Sequence, residues 1–166
     1  MKKTLSILVA NHAGVLSRIS GLFSRRGFNI DSLAVGVTDK PEISRITIVA
    51  DGDEYTFEQL EKQLNKLIEV IKVKSFDAND ILQRELLIVK VTVNADRRSE
   101  IMSIAEIMDA KIIDITLRTM TLQICDSAIH LARFEELIRP YGIIEMVRTG
   151  MIAIEKGTDA LTLGKK

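Results

Sequence analysis

The stretch Leu5-Ser6-Ile7-Leu8-Val9-Ala10-Asn11-His12-Ala13-Gly14-Val15-Leu16 changes its hydrophobic period half-way along. Residues 4–9 alternate, with Leu5, Ile7 and Val9 on one face, as a half-buried strand does. From Val15 the spacing lengthens. Val15, Leu16, Ile19, Leu22 and Phe23 fall at offsets of 0, 1, 4, 7 and 8, the stripe of an amphipathic helix. Arg25-Arg26 put basic charge in the last turn and Gly27 supplies a stop. Residues 29–38 alternate again through Leu33, Val35 and Val37, Thr38-Asp39-Lys40-Pro41-Glu42 is turn chemistry, and 44–50 give a partner strand. A second helix is expected through Phe57, Leu60, Leu64, Leu67 and Ile68, and a closing strand over 70–76.

The same order restarts after the polar link Asp77-Ala78-Asn79-Asp80. Residues 86–93 read as a strand, and Ile101, Ile104, Ala105 and Met108 mark a helix. Strands are expected over 112–117 and 120–125. Leu131, Phe134, Leu137 and Ile138 mark the fourth helix, stopped near Arg139-Pro140 and Gly142. A last strand covers 144–154, with a break at Gly150. The fold class is therefore α+β, two ferredoxin-like βαββαβ domains. They are assigned to 1–77 and 85–157, with a linker over 78–84 and a tail over 158–166 that has little to pack with and is expected to fray. A core of that size is marginal alone, and each sheet keeps apolar residues on its open face, so a homo-oligomer is expected.

Composition narrows the function classes. In 166 residues, 23 Lys and Arg balance 23 Asp and Glu, so the basic surplus of a phosphate-binding surface is absent and no nucleic-acid partner is expected. Two Tyr, five Phe and no Trp are too few for a base-stacking platform. The single cysteine, Cys125, excludes an intrachain disulfide framework; in its apolar strand it reads as a buried, inert thiol. The apolar run behind Met1-Lys2-Lys3 is too short for a signal peptide and no stretch is long enough to span a membrane, so a cytoplasmic protein with no membrane partner is expected.

Catalytic and metal constellations are missing from the sequence. His12 and His130 lie in different halves, without a His/Asp/Glu set at ligand spacing. His130 reads as a surface or capping residue. Neither a Gly-rich phosphate loop nor a GxSxG elbow occurs. The chain is expected to be no enzyme and to carry no cofactor or metal of its own. One segment stands out: Asn11-His12-Ala13-Gly14-Val15-Leu16, at the entry to the first helix. Gly14 leaves the helix N-terminus uncovered, where unpaired N–H groups suit a carboxylate, and the Asn11 amide both donates and accepts, as an amino-acid zwitterion requires. Asn and Gly are equally what a tight strand-to-helix turn prefers, so spacing leaves both readings open. Asn29, after Arg25-Arg26-Gly27-Phe28, is a second candidate with the same ambiguity.

Taken together, residues 5–16, Gly21-Leu22-Phe23-Ser24-Arg25-Arg26-Gly27-Phe28-Asn29-Ile30-Asp31-Ser32-Leu33 and Ser44-Arg45-Ile46-Thr47 resemble the ACT domain of the acetolactate synthase (acetohydroxyacid synthase) small subunit. Arg84-Glu85-Leu86, Ala110-Lys111-Ile112-Ile113-Asp114 and Gly142-Ile143-Ile144-Glu145 extend the resemblance to the second half. The departures are Ala13, where a small polar residue is expected, Met108-Asp109 in place of Phe-Arg, and Cys125-Asp126-Ser127 where Thr-Gly is common. The resemblance implies a non-catalytic regulatory subunit that activates a separate catalytic subunit and makes it sensitive to a branched-chain amino acid, usually valine. It implies thiamine diphosphate, Mg and FAD on that partner. It also implies a homodimer through the ACT domain, with the effector between protomers. Asn11, Gly14 and the backbone of His12, Ala13, Val15 and Leu16 would hold it on one side, with Asn29 and Ile30 of the second copy on the other. The alternative is a stand-alone ACT-type amino-acid sensor serving another enzyme or a transcription regulator.

Overall fold

The structure, a computed structural model, describes residues 2–76 and 79–163. The chain divides into two compact units, one formed by Met1–Leu82 with Met151–Lys166, the other by Gln83–Gly150.

The first unit is built as the periodicity requires. Strand β1 (Lys2–Ala10) is followed by helix α1 (Val15–Arg25), strands β2 (Ile30–Val37) and β3 (Ile43–Asp51), helix α2 (Glu54–Leu64) and strand β4 (Val70–Phe76). The strands form an antiparallel sheet in the order β2-β3-β1-β4, so β2 and β4 are its edges. Alternation sends Leu5, Ile7, Val9, Ile46 and Ile48 to one face. There they meet Val15, Ile19 and Phe23 of α1 and Phe57, Leu60 and Leu64 of α2 in one buried core. Removing such side chains from water supplies about 1.5–3 kcal/mol each, which is what lets so small a sheet hold two helices. Helix α2 ends at Leu64, earlier than its apolar spacing predicts: Leu67 still packs on the core from the following turn, but Ile68 is 96% exposed.

The opposite face of this sheet is covered by the end of the same chain. Strand β9 (Ile152–Glu155) belongs to this unit, as do Ile81 and Leu82, the first residues of strand β5 (Ile81–Thr92), and Lys156 N–H donates to the Asp80 carbonyl at 2.9 Å. Phe76, Ile81 and Ala153 form a small buried cluster. Met151 N–H donates to Ser32 Oγ at 2.8 Å, and Arg45 Nη2 to the Ala153 carbonyl at 2.8 Å. Further on, Leu161 packs on Leu8 and Ile43. The expectation of a frayed tail over 158–166 is therefore corrected for its described part: an apolar residue found outward-facing leucine and isoleucine to bury against. Residues 164–166 lie outside the described residues, as do Met1, Asp77 and Ala78. The expected linker over 78–84 is shorter than predicted, because β5 starts at Ile81. Its Ile81, Gln83 and Glu85 alternate inward with exposed Leu82 and Arg84, a pattern hidden by the polar residues.

The second unit repeats the plan: β5, helix α3 (Arg98–Ile107), strands β6 (Lys111–Ile115) and β7 (Thr119–Asp126), helix α4 (Ala128–Ile138), a 3-10 turn (Arg139–Tyr141) and strand β8 (Ile143–Arg148). The strand order is β6-β7-β5-β8, and Leu87, Val89, Val91, Met120, Leu122 and Ile124 pack against Ile101, Leu131 and Phe134 of the helices. Ser127 caps α4 by accepting from His130 N–H at 3.4 Å. The expected strand over 144–154 is two strands, split around Gly150 at φ 81°. Cys125 is exposed, contrary to expectation: Met120, Leu122 and Ile124 take the inner face of β7, and the alternation turns Cys125 outward.

Candidate functional site

The loop between β1 and α1 is fixed from outside itself. Asn11 N–H donates to the Glu42 carbonyl at 2.8 Å and its Nδ2 to the Pro41 carbonyl at 2.8 Å, tying the loop to the β2–β3 turn. Ala10 N–H donates to the Glu69 carbonyl at 2.8 Å, and the Glu69 carboxylate pairs with Arg18 of α1. The His12 ring lies 3.1 Å from the Ala13 carbonyl. Apart from the His12–Ala13 contact, these anchors are distant in sequence, and nothing in the pattern around Asn11 announces Pro41, Glu42 or Glu69.

Gly14 occupies the N-cap of α1 at φ 88°, and no side chain caps the helix. The first turn carries no acidic residue either. By contrast, α2 is closed by Asp53, whose side chain accepts from Thr56 N–H, and α4 by Ser127. Positive φ explains the glycine, since a Cβ is strained there. A Cβ at Gly14 would meet nothing within 4 Å, so the ground over the α1 terminus is open. Residues 11–14 are exposed, while the Val15 side chain is in the core and offers the loop only its backbone. The outcome is an uncapped helix end with its partial positive charge uncompensated, beside an Asn11 amide anchored through its Nδ2.

Asn29 and Ile30 stand elsewhere. Ala10 pairs with Ile43, while Ile30 pairs with Ala50 at the other end of β3. That offset along β3 places Ile30 roughly 24 Å along the sheet from the end of β1. Asn29 is exposed and donates from Nδ2 to Asp31 Oδ1 at 3.0 Å; Ile30 packs partly on the core. The eight expected site residues thus form two separate groups in one chain: 11–16 at one end of the first sheet, 29–30 at the other. Among the described residues no group of three or more His, Cys, Asp or Glu side chains is placed to hold a metal ion. No described helix is long and apolar enough to cross a membrane.

Comparison with known proteins agrees with this build. Residues 5–72 match the AHAS small subunit-like ACT domain, and residues 84–157 match the family described as the small subunit of acetolactate synthase. The chain belongs to the acetolactate synthase small-subunit family. The probable acetolactate synthase small subunit of Archaeoglobus fulgidus is 43% identical over 157 residues, covering 95% of this chain and 98% of that one. The acetolactate synthase small subunit of Mycobacterium leprae is 41% identical over 154 residues, covering 93% and 91%. The crystal structure of the Thermotoga maritima small subunit superposes with a TM-score of 0.89 at 35% identity, covering 96% of this chain and 99% of that one. The second small-subunit match runs to residue 157 and so includes β9, which in this structure packs with the first unit.

Proposed function

We propose that this chain is the regulatory, non-catalytic subunit of an acetolactate synthase. It binds the catalytic subunit, raises its activity, and makes it sensitive to a branched-chain amino acid, with valine the first candidate. Thiamine diphosphate, Mg and FAD belong to the catalytic partner in this reading. The observation that carries it is the open, uncapped N-terminus of α1 over Gly14, flanked by the Asn11 amide: backbone N–H groups and dipole for a carboxylate, an amide for the rest of the zwitterion.

The separation of Asn29 from Asn11 supports a site shared by two copies. Strand β2 is an edge, and it runs parallel to β1 because both are antiparallel to β3. If two copies pair their β2 edges antiparallel, the partner's Ile30 end lies beside this chain's Val37 end. Val37 pairs with Ser44, next to Ile43 and therefore at the end where the 11–16 loop emerges. Val35 and Val37 are 49% and 59% exposed at that edge, and Leu16 of α1 is 42% exposed, apolar surface that a second copy would cover. An effector enclosed by both protomers binds one arrangement better than another, which is the requirement for shifting activity. Titration of valine, leucine and isoleucine into the full chain, with mass measured alongside, tests the reading. Saturable binding by a dimer is expected. Binding by a monomer, or of amino acids without regard to side chain, contradicts it.

A further inference from the structure

We infer that the first unit holds a second small-molecule site, beneath its C-terminal tail, for a short aliphatic carboxylate. A cavity of about 310 Å³ lies between the outer face of the first sheet and residues 161–163. Its apolar side includes Leu8, Ile43 and Leu161, the three residues that form a buried cluster of their own. Its polar side includes Asp39, Lys40 and Arg45. The volume is at the low end for ligand pockets, suited to a metabolite of a few carbons and too small for a nucleotide.

Arg45 is what makes the cavity a site. Its guanidinium is half-buried and held in place by two bonds, Nε to Ser6 Oγ at 2.7 Å and Nη2 to the Ala153 carbonyl at 2.8 Å. Burial pushes its pKa down, while the field of Glu155 acts in the opposite sense. Glu155 is itself paired with Lys74, and among the described residues no carboxylate lies within ion-pair distance of Arg45 or of Lys40. A partly desolvated, pre-positioned cation without a counter-ion favours an incoming carboxylate, and a second cation, Lys40, lines the same space. Asp39 offers an acceptor for an α-ammonium. A 2-amino acid uses all three charges, and the corresponding 2-oxoacid uses only the cations. The ligand's carbon chain would lie against Leu8, Ile43 and Leu161, so occupancy also fastens the tail, which is tied to the β4 edge by Lys72 Nζ donating to the Thr162 carbonyl at 3.3 Å. The inference stands apart from the effector reading, because none of its groups belongs to the 11–16 loop.

Ligand-observed saturation-transfer NMR on the full chain tests it, with L-valine and 3-methyl-2-oxobutanoate as separate probes. Measuring in the Gly14→Asp background blocks the α1 terminus, so failure of the effector reading does not touch the outcome. Saturable binding of at least one probe is expected, weakened roughly tenfold by Lys40→Gln, the loss of one charge-assisted contact, and also weakened by Leu161→Ala. Asp39→Asn is expected to weaken valine alone, which separates the amino acid from the oxoacid. No saturable binding of either probe at millimolar concentration overturns the inference. So does binding that Lys40→Gln and Leu161→Ala both leave unchanged, in chains whose circular dichroism matches the parent.

Discussion

Asn11 and Asn29 flank opposite ends of one sheet: the strand leading into Asn11 ends opposite Ile43, and the strand following Asn29 begins opposite Ala50, at the far end of β3. No side-chain motion within one chain closes a gap of that size. Either the two residues serve separate purposes, or they meet across a two-fold axis.

Mixed dimers distinguish these cases. Asn29→Ala is expected to weaken valine binding by about 1–3 kcal/mol, the cost of leaving a polar partner unmatched. Gly14→Asp is expected to abolish it, by placing a carboxylate over the helix terminus that the ligand's own carboxylate needs. Co-expressing the two variants should restore one full-affinity site per mixed dimer, since one of its two composite sites is then unmutated. Calorimetry on the purified mixed dimer checks this. Absence of any full-affinity site in the mixed dimer shows that the two residues do not meet across the two-fold axis.

The tail gives a stability prediction. Leu161 is 7% exposed against Leu8 and Ile43. Leu161→Ala should cost about 2 kcal/mol, the low end for such truncations because a cavity already adjoins the site. Urea unfolding reads this directly, and a loss within error shows that the tail contributes nothing to the folded state.

Much of this molecule was legible because hydrophobic period is a local signal. Both βαββαβ units, all four helices and the core residues Leu5, Ile7, Ile19 and Phe23 follow from spacing alone. The misses are long-range. Leu161 lies in a short tail without a strand or helix period, and the outward-facing Leu8 and Ile43, more than a hundred positions earlier, give it a place. The strand from Ile81 was masked by Gln83-Arg84-Glu85. In the loop, sequence singled out Asn11 and Gly14 but not the Pro41, Glu42 and Glu69 carbonyls that hold the segment, because carbonyl acceptors carry no residue-specific signature.

Cys125 illustrates the limit of composition as a guide to burial. An apolar strand suggested a buried thiol, but alternation with Met120, Leu122 and Ile124 turns it outward. It should react stoichiometrically with a thiol-specific reagent such as Ellman's reagent in the native chain. Protection until denaturant is added contradicts the exposed placement.

The α2 cap gives a pH prediction. Hydrogen bonds from the Thr56 hydroxyl and N–H hold the Asp53 carboxyl below its ordinary value of 3.8. A folded pKa below the unfolded one means stabilisation that is present above 3.8 and lost as pH falls through the folded value. Asp53→Asn keeps a capping oxygen without the charge. The stability difference between the two chains, measured by urea unfolding, should therefore shrink on acidification below that range. A difference constant with pH shows that the charge plays no part in the cap.

The central claim, a regulatory subunit governed by an amino acid, is tested most directly by reconstitution. The full chain is added to the acetolactate synthase catalytic subunit of the same organism, and acetolactate formation is measured with and without valine, leucine or isoleucine. The account predicts that activity rises on addition of the chain, falls again with at least one of the three amino acids, and resists that inhibition when the chain carries Gly14→Asp. Activity that ignores the chain, or that responds to the amino acids equally with and without it, contradicts the account.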